Sequence, residues 1–169
     1  MGLLLESSRL FRLHLLLIGL LVGAHFAVVA VRLTTGHANL HGLTPLFDLD
    51  VEANVPTLVS AVALLGAASL FWATGSATHR HGRAYAKHWR GLAVVFVLLA
   101  LDEAAGFHER LSAPLRGAMH LTGVLHYAWI VPYALLVAAL GIVYARFLLA
   151  LDPVAKRHLV GAGVVFLAG

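Results

Sequence analysis

Long apolar stretches separated by short polar segments dominate the pattern of this chain. The first covers about residues 11–32, contains LLLIGLLVGAHFAVVAV, and lies close to Arg9 and Arg12. Further stretches cover about residues 55–74, 91–109 and 124–149, and an incomplete one covers about 158–169. About 20 mostly apolar residues are needed to cross a hydrocarbon core of ~30 Å. The pattern therefore predicts an all-α, polytopic transmembrane helix bundle, a single domain with four full spans plus part of a fifth.

The first and the last apolar stretches each allow a second interpretation. A signal peptide also begins with basic residues before an apolar run, but the run here is longer than the usual ~7–15 residues and no A-x-A cleavage site follows it. We expect a retained span. The apolar run after His158 is about half a span long at 1.5 Å per residue. It is either a half-span buried against a neighbour or, as we expect, a span whose remainder lies beyond Gly169.

Composition changes the picture little but excludes several classes of protein. Of the 169 residues, 60% are hydrophobic and 12% are charged, with no cysteine and a mean hydropathy of +0.88. Soluble domains average about 25% charged residues, so an ordinary water-facing surface is excluded, as are a disulfide scaffold and a thiolate metal site. The net charge of +4 is spread over separated segments, which argues against a nucleic-acid partner.

The distribution of charge predicts the topology. If the N-terminus is cytoplasmic, nine basic residues lie inside and three outside, in agreement with the positive-inside rule. Six of the eight acids then lie outside or in the outer leaflet. Because Asp and Glu contribute little to topology, this asymmetry needs another explanation. Those six acids are Asp48, Asp50, Glu52, Asp102, Glu103 and Glu109.

An acidic segment, residues 47–54, precedes the second span and alternates apolar and acidic residues. One interpretation is a solvated helix cap, with Asn54 as the N-cap and the acids stabilising the helix N-terminus. The other is a cation or ligand site, since alternating carboxylates resemble calcium-type spacing, although the required glycine and distal Glu are missing. We favour the cap.

A second acidic segment, residues 101–110, ends the third span. Asp102 would lie deep in the membrane, where an acid is costly and normally faces protein or water. Asp102 and Glu109 are seven residues apart, so on a straight helix they share one face. Helices one, two and four place other polar residues at similar depth. The candidate cluster comprises Asp102, Glu103, His108, Glu109, His126, Glu52, Asn54 and His25.

This cluster is open to three interpretations. The three are a structural polar network, a metal site, and a relay for protons or a small ligand. The metal candidates are Asp102, Glu103, His108 and His126, since carboxylates and imidazoles suit a divalent metal such as zinc, manganese or iron. Haem or another tetrapyrrole would need His25 and His126 to face each other at one depth, and is the least supported cofactor. We favour the structural network. In the cytoplasmic loop, His79, His81 and His88 are expected to be solvated and to face lipid phosphate.

Two polar motifs carry a family resemblance. They are F-D-x-D-x-E-x-N-x-P-T at residues 47–57 and, after His88-Trp89, D-E-x-x-x-x-H-E at residues 102–109. Together they resemble a family of uncharacterised bacterial multi-pass membrane proteins, from about Leu46 to the end of the chain. The resemblance implies a helical protein of the bacterial inner (cytoplasmic) membrane. It does not imply an activity. A weaker similarity is to ceramidase-like intramembrane hydrolases.

These observations lead to one leading function and one alternative. We expect a non-enzymatic accessory subunit that packs against a larger respiratory or photosynthetic membrane complex, with other membrane subunits and lipids as partners. Small-residue helix faces such as Gly19-x-x-x-Gly23 favour close helix contacts, and no complete catalytic constellation is evident. The alternative is a metal-dependent intramembrane hydrolase, or a proton or ligand pathway, that uses the outer-leaflet cluster.

Overall fold

The computed structural model describes residues 2–36, 42–111 and 129–168, with side chains from residue 8 onward. Within these ranges every regular element is a helix. A short 3-10 helix, Thr44–Phe47, lies between the first two α-helices, and residues 107–111 are also helical. The α-helices are α1 (Gly2–Thr35), α2 (Val55–Arg80), α3 (Ala86–Ala105), α4 (Ile130–Ala150) and α5 (Pro153–Ala168).

Three of these helices are long and apolar enough to cross a membrane. They are Ser8–Thr35 within α1, together with α2 and α4. Such helices indicate a membrane protein. The helix α3 has 20 residues, four of them charged: Lys87, Arg90, Asp102 and Glu103. The charges lie near its two ends and shorten its apolar stretch.

The chain divides into two compact units. The first contains residues 1–66 and 97–106, and the second contains residues 67–96 and 107–169. Small side chains dominate the buried apolar positions of α2 and α3, which lets helices approach closely. In the first unit, Ala61, Leu64 and Ala100 are buried; in the second, Ala68, Ala93 and Phe147 are buried.

The helix α3 ends where Gly106 takes a left-handed conformation, with φ of +60°. The Gly106 amide donates a hydrogen bond of 2.7 Å to the Asp102 carbonyl oxygen, a pattern typical of a glycine that terminates a helix. Asp102 therefore lies in the last turn of α3, whereas Glu109 lies beyond the break. The interpretation that these two acids share one face of a straight helix is wrong, because the helix does not continue through Gly106.

Candidate functional site

The segment after the 3-10 helix is fastened to α1 through the carboxylate of Asp48. This side chain is only 1% exposed, and its Oδ2 lies 2.7 Å from Nη1 of Arg32. Its Oδ1 accepts a hydrogen bond of 3.1 Å from the backbone amide of Asp50. A buried carboxylate requires such partners, because burying an unpaired charge is costly. Asp48 is therefore a structural anchor that holds the segment against α1.

His25 provides a second attachment point on the same side of α1, since it lies seven residues before Arg32. The backbone amide of Leu49 donates a hydrogen bond of 3.1 Å to Nδ1 of His25, and Oδ1 of Asp48 lies 3.5 Å from the same nitrogen. A nitrogen that accepts a hydrogen bond carries no proton. In this arrangement the His25 ring is thus held by the Leu49 amide. We call Asp48, Arg32 and His25, with the backbone they hold, the α1 clamp.

The clamp also brings together groups that are able to bind a metal. His25, Asp48 and Asp50 each offer one ligand atom, and these atoms lie within 4.8 Å of one another. An imidazole with two carboxylates suits zinc, manganese or iron. However, the cation Arg32 already contacts Asp48, and the Leu49 amide occupies Nδ1 of His25. A metal would have to displace both interactions, so the observed contacts favour the structural role.

Asn54 acts as the N-cap of α2, as the sequence predicted. Its Oδ1 accepts hydrogen bonds from the backbone amide of Thr57, at 3.1 Å, and from the Thr57 hydroxyl, at 3.0 Å. Its Nδ2 donates to the carbonyl oxygens of Asp48, at 2.5 Å, and Val51, at 2.7 Å. Because Asn54 and Thr57 are both buried, this side chain joins the start of α2 to the segment that the α1 clamp holds.

The Glu52 side chain lies against the C-terminal end of α3. A side-chain oxygen of Glu52, Oε2, lies in close contact with the position that a Cβ atom at Gly106 would take, so the carboxylate packs directly on this glycine. Asp102 and Glu103, in the last turn of α3, are both half-buried. Glu52 thus belongs to the packing between the acidic segment and the C-terminal end of α3.

His108 lies in the second unit, in an aromatic setting. Its ring centroid is 5.0 Å from that of Trp129 and 6.3 Å from that of Tyr133, with edge-to-face geometry in both contacts. Glu109, the next residue, is exposed. No local pattern indicates this aromatic contact, because Trp129 and Tyr133 lie 21 and 25 positions after His108 along the chain.

Of the eight residues predicted to form one polar cluster, the described part of the chain brings together only subsets. His25 contacts the segment containing Asp48, Asn54 caps α2, and Glu52 packs on the end of α3. His126 lies outside the described residues. The metal set that contains it, and its pairing with His25 around a tetrapyrrole, therefore stay predictions. Sequence reasoning missed Arg32 and the role of Asp48 in the α1 clamp; the signal was a lone arginine at the end of an apolar span.

A second aromatic cluster surrounds Phe147, which is fully buried. The ring of His88 stacks on Phe147 at 5.5 Å, and Trp89 meets Phe147 edge-to-face at 4.9 Å. The Tyr144 hydroxyl donates a hydrogen bond of 3.2 Å to the carbonyl oxygen of His88. The expectation that His88 is solvated is wrong: it is half-buried, and its Nδ1 is enclosed without a hydrogen-bond partner among the described residues.

Comparison with known proteins identifies a family but does not indicate an activity. Neither curated proteins nor solved structures provide a significant match. A family model described as a domain of unknown function, DUF8692, matches residues 13–169 and so covers α1 from Leu13 onward and every later element. This is consistent with the resemblance to an uncharacterised family. The chain is a member of the DUF8692 family.

Proposed function

We propose that this protein is a non-enzymatic subunit of a larger membrane complex and that α1 docks against a helix of a partner subunit. One observation carries the proposal: among the described residues, the side-chain contacts of α1 with the rest of its own chain lie on one face. The α1 clamp uses His25 and Arg32, whereas Gly19 and Gly23 lie about 120–160° around the helix from His25 at 3.6 residues per turn.

Within the part of the chain that the structure describes, the face that bears these glycines is open. A Cβ atom placed on either Gly19 or Gly23 would meet nothing within 4 Å. The flanking side chains are strongly exposed: Leu16 is 64%, Leu20 is 71% and Phe26 is 66% exposed. Small residues spaced by four let two helix backbones approach closely in a membrane, where van der Waals packing drives association. A partner helix fits this face better than lipid tails alone, because the glycines create a groove.

The proposal includes a topology. The helices α1 to α4 cross the membrane, and α5 forms part of a fifth span. The basic residues near the ends of the helices favour a cytoplasmic N-terminus, as in a bacterial inner membrane. In this topology Lys87 and Arg90 of α3 lie at the cytoplasmic side, and Asp102 and Glu103 lie toward the outer surface. A respiratory or photosynthetic complex is the kind of assembly that we propose as the partner.

Co-purification from native membranes in a mild detergent tests this function. We expect a partner protein at fixed stoichiometry with the wild type, and loss of most of it with Gly23→Ile, since the added side chain fills the groove. Gly141→Ile is the matched control, because Gly141 is an equally open helical glycine in α4. If the wild type purifies alone as a stable monomer, or if both variants retain the partner equally, the proposal fails.

A second candidate function is supported by the convergence of His25, Asp48 and Asp50. In a metal-dependent intramembrane hydrolase, these groups would hold a divalent cation, and Asp102 and Glu103 belong to the same unit. Elemental analysis of the purified protein distinguishes this function. It requires bound transition metal that Asp50→Asn or Asp102→Ala removes. Metal-free protein, with no effect of either substitution, would rule it out.

A further inference from the structure

Arg90 is fixed against α2 near the end of the α2–α3 hairpin. A Cβ atom at Gly75 would lie 2.9 Å from Cγ of Arg90 and 3.1 Å from the carbonyl oxygen of Ala86, so glycine at this position lets the arginine run along the helix. The guanidinium carbon, Cζ, is 5.6 Å from the centroid of the Trp72 ring. This is a cation–π contact, which holds the charge in one place.

Among the described residues, no acid forms an ion pair with Arg90. Its Nε is buried and has no hydrogen-bond partner among the described residues. The sequence between Ala53 and Leu101 contains no Asp or Glu, whereas Arg80, Arg83 and Lys87 lie near the same hairpin end. A partly buried, uncompensated guanidinium is costly unless an anion pairs with it. Arginine is well suited to phosphate, because its planar fork matches phosphate oxygens.

The position of Arg90 along the helices matches the headgroup level of a bilayer. The apolar part of α2, residues 55–73, is about 28 Å long at 1.5 Å per residue, close to the ~30 Å of a hydrocarbon core. The remainder, Thr74–Arg80, is polar or small. Gly75, and with it the adjacent Arg90, therefore lies just outside the hydrocarbon. Trp72 lies at the boundary, where tryptophan is enriched in membrane proteins.

The surface below Arg90 is apolar. Val94 lies one turn deeper on α3 and is 52% exposed, and Trp72 is 53% exposed. A charged group above an exposed apolar surface matches the two parts of a phospholipid, a phosphate and an acyl chain. The surrounding positive charges attract an anionic headgroup and disfavour one that carries an ammonium group. We infer that the α2–α3 hairpin binds an anionic phospholipid, with its phosphate on Arg90 and an acyl chain along Trp72 and Val94.

Native mass spectrometry of the full chain in detergent tests this inference, with dioleoyl phosphatidylglycerol as the probe and dioleoyl phosphatidylcholine as its chain-matched comparison. We expect phosphatidylglycerol to bind at least fivefold more tightly, and Arg90→Gln to weaken it about fivefold. Arg157→Gln is the control, because Arg157 is exposed and its substitution removes the same charge. It should weaken binding less than twofold.

Three results would overturn the inference. Equal effects of Arg90→Gln and Arg157→Gln would mean that attraction is nonspecific. Equal binding of the two lipids would remove the role of the anionic headgroup. Displacement of phosphatidylglycerol by inorganic phosphate alone would mean that the site recognises free phosphate. If Arg90→Gln fails to fold by circular dichroism, Trp72→Leu decides instead: it should weaken phosphatidylglycerol binding about twofold to threefold, and no change would contradict the site.

Discussion

The ion pair between Arg32 and Asp48 offers the sharpest test of the α1 clamp, through a double-mutant cycle with Arg32→Gln and Asp48→Asn. The Asp48 side chain is 1% exposed and that of Arg32 is 40% exposed. Fully exposed pairs couple by about 0.2–1 kcal/mol, and hydrogen bonds to charged groups contribute about 1.5–3 kcal/mol. Because one partner is half-exposed, we expect a coupling energy of about 1–2 kcal/mol.

Hydrogen–deuterium exchange in nanodiscs measures this coupling locally, because the amides of Leu49 and Asp50 are both held by the clamp. Loss of about 1–2 kcal/mol should accelerate exchange in residues 48–54 by about 5- to 30-fold. The control cycle pairs Arg32→Gln with Asp50→Asn, since the exposed Asp50 carboxylate forms no ion pair among the described residues. Its coupling should be near zero.

A coupling of less than about 0.5 kcal/mol between Arg32 and Asp48 is the additivity expected of independent sites. That result would refute the clamp as the device that holds this segment to α1. A large coupling in the control cycle would mean that Asp50 shares the site, as the metal alternative requires.

Three further predictions concern stability, measured as the free energy of unfolding in mixed micelles. Asn54→Ala should cost about 2 kcal/mol, because the cap and its buried hydrogen bonds are lost; a cost below about 0.5 kcal/mol would contradict the capping role. Gly106→Ala should cost about 1–2 kcal/mol, since φ is positive, whereas Gly141→Ala should be neutral or stabilising. Phe147→Ala should cost about 3–5 kcal/mol, and a cost like that of an exposed residue would show that the aromatic cluster is not a core.

The helices themselves could be predicted from the sequence because apolar length is a strong local signal. The N-cap role of Asn54 was also predictable, since capping depends on residues within one turn. The end of α3 was predictable in principle, because a glycine commonly terminates a helix, but the expectation of a straight helix from Asp102 to Glu109 overlooked Gly106.

The contacts that define the α1 clamp could not be predicted in the same way. Leu49 and Asp48 meet residues 24 and 16 positions away, so their pairing depends on how the loop returns to α1. The burial of His88 could not be predicted either, because it also depends on residues far away in the sequence. Its neighbours along the chain are basic, but Tyr144 and Phe147, more than 50 positions later, enclose it.

The central claim, that the glycine face of α1 meets a partner subunit, is tested most directly by site-specific photo-crosslinking in native membranes. A photoreactive residue at Leu20 lies on the open face, and one at Val29, on the opposite side of the same helix, lies on the half-buried face. We predict that position 20 crosslinks to one protein of defined mass and that position 29 does not. Labelling of lipid alone from position 20, or the same protein from both positions, would contradict the claim.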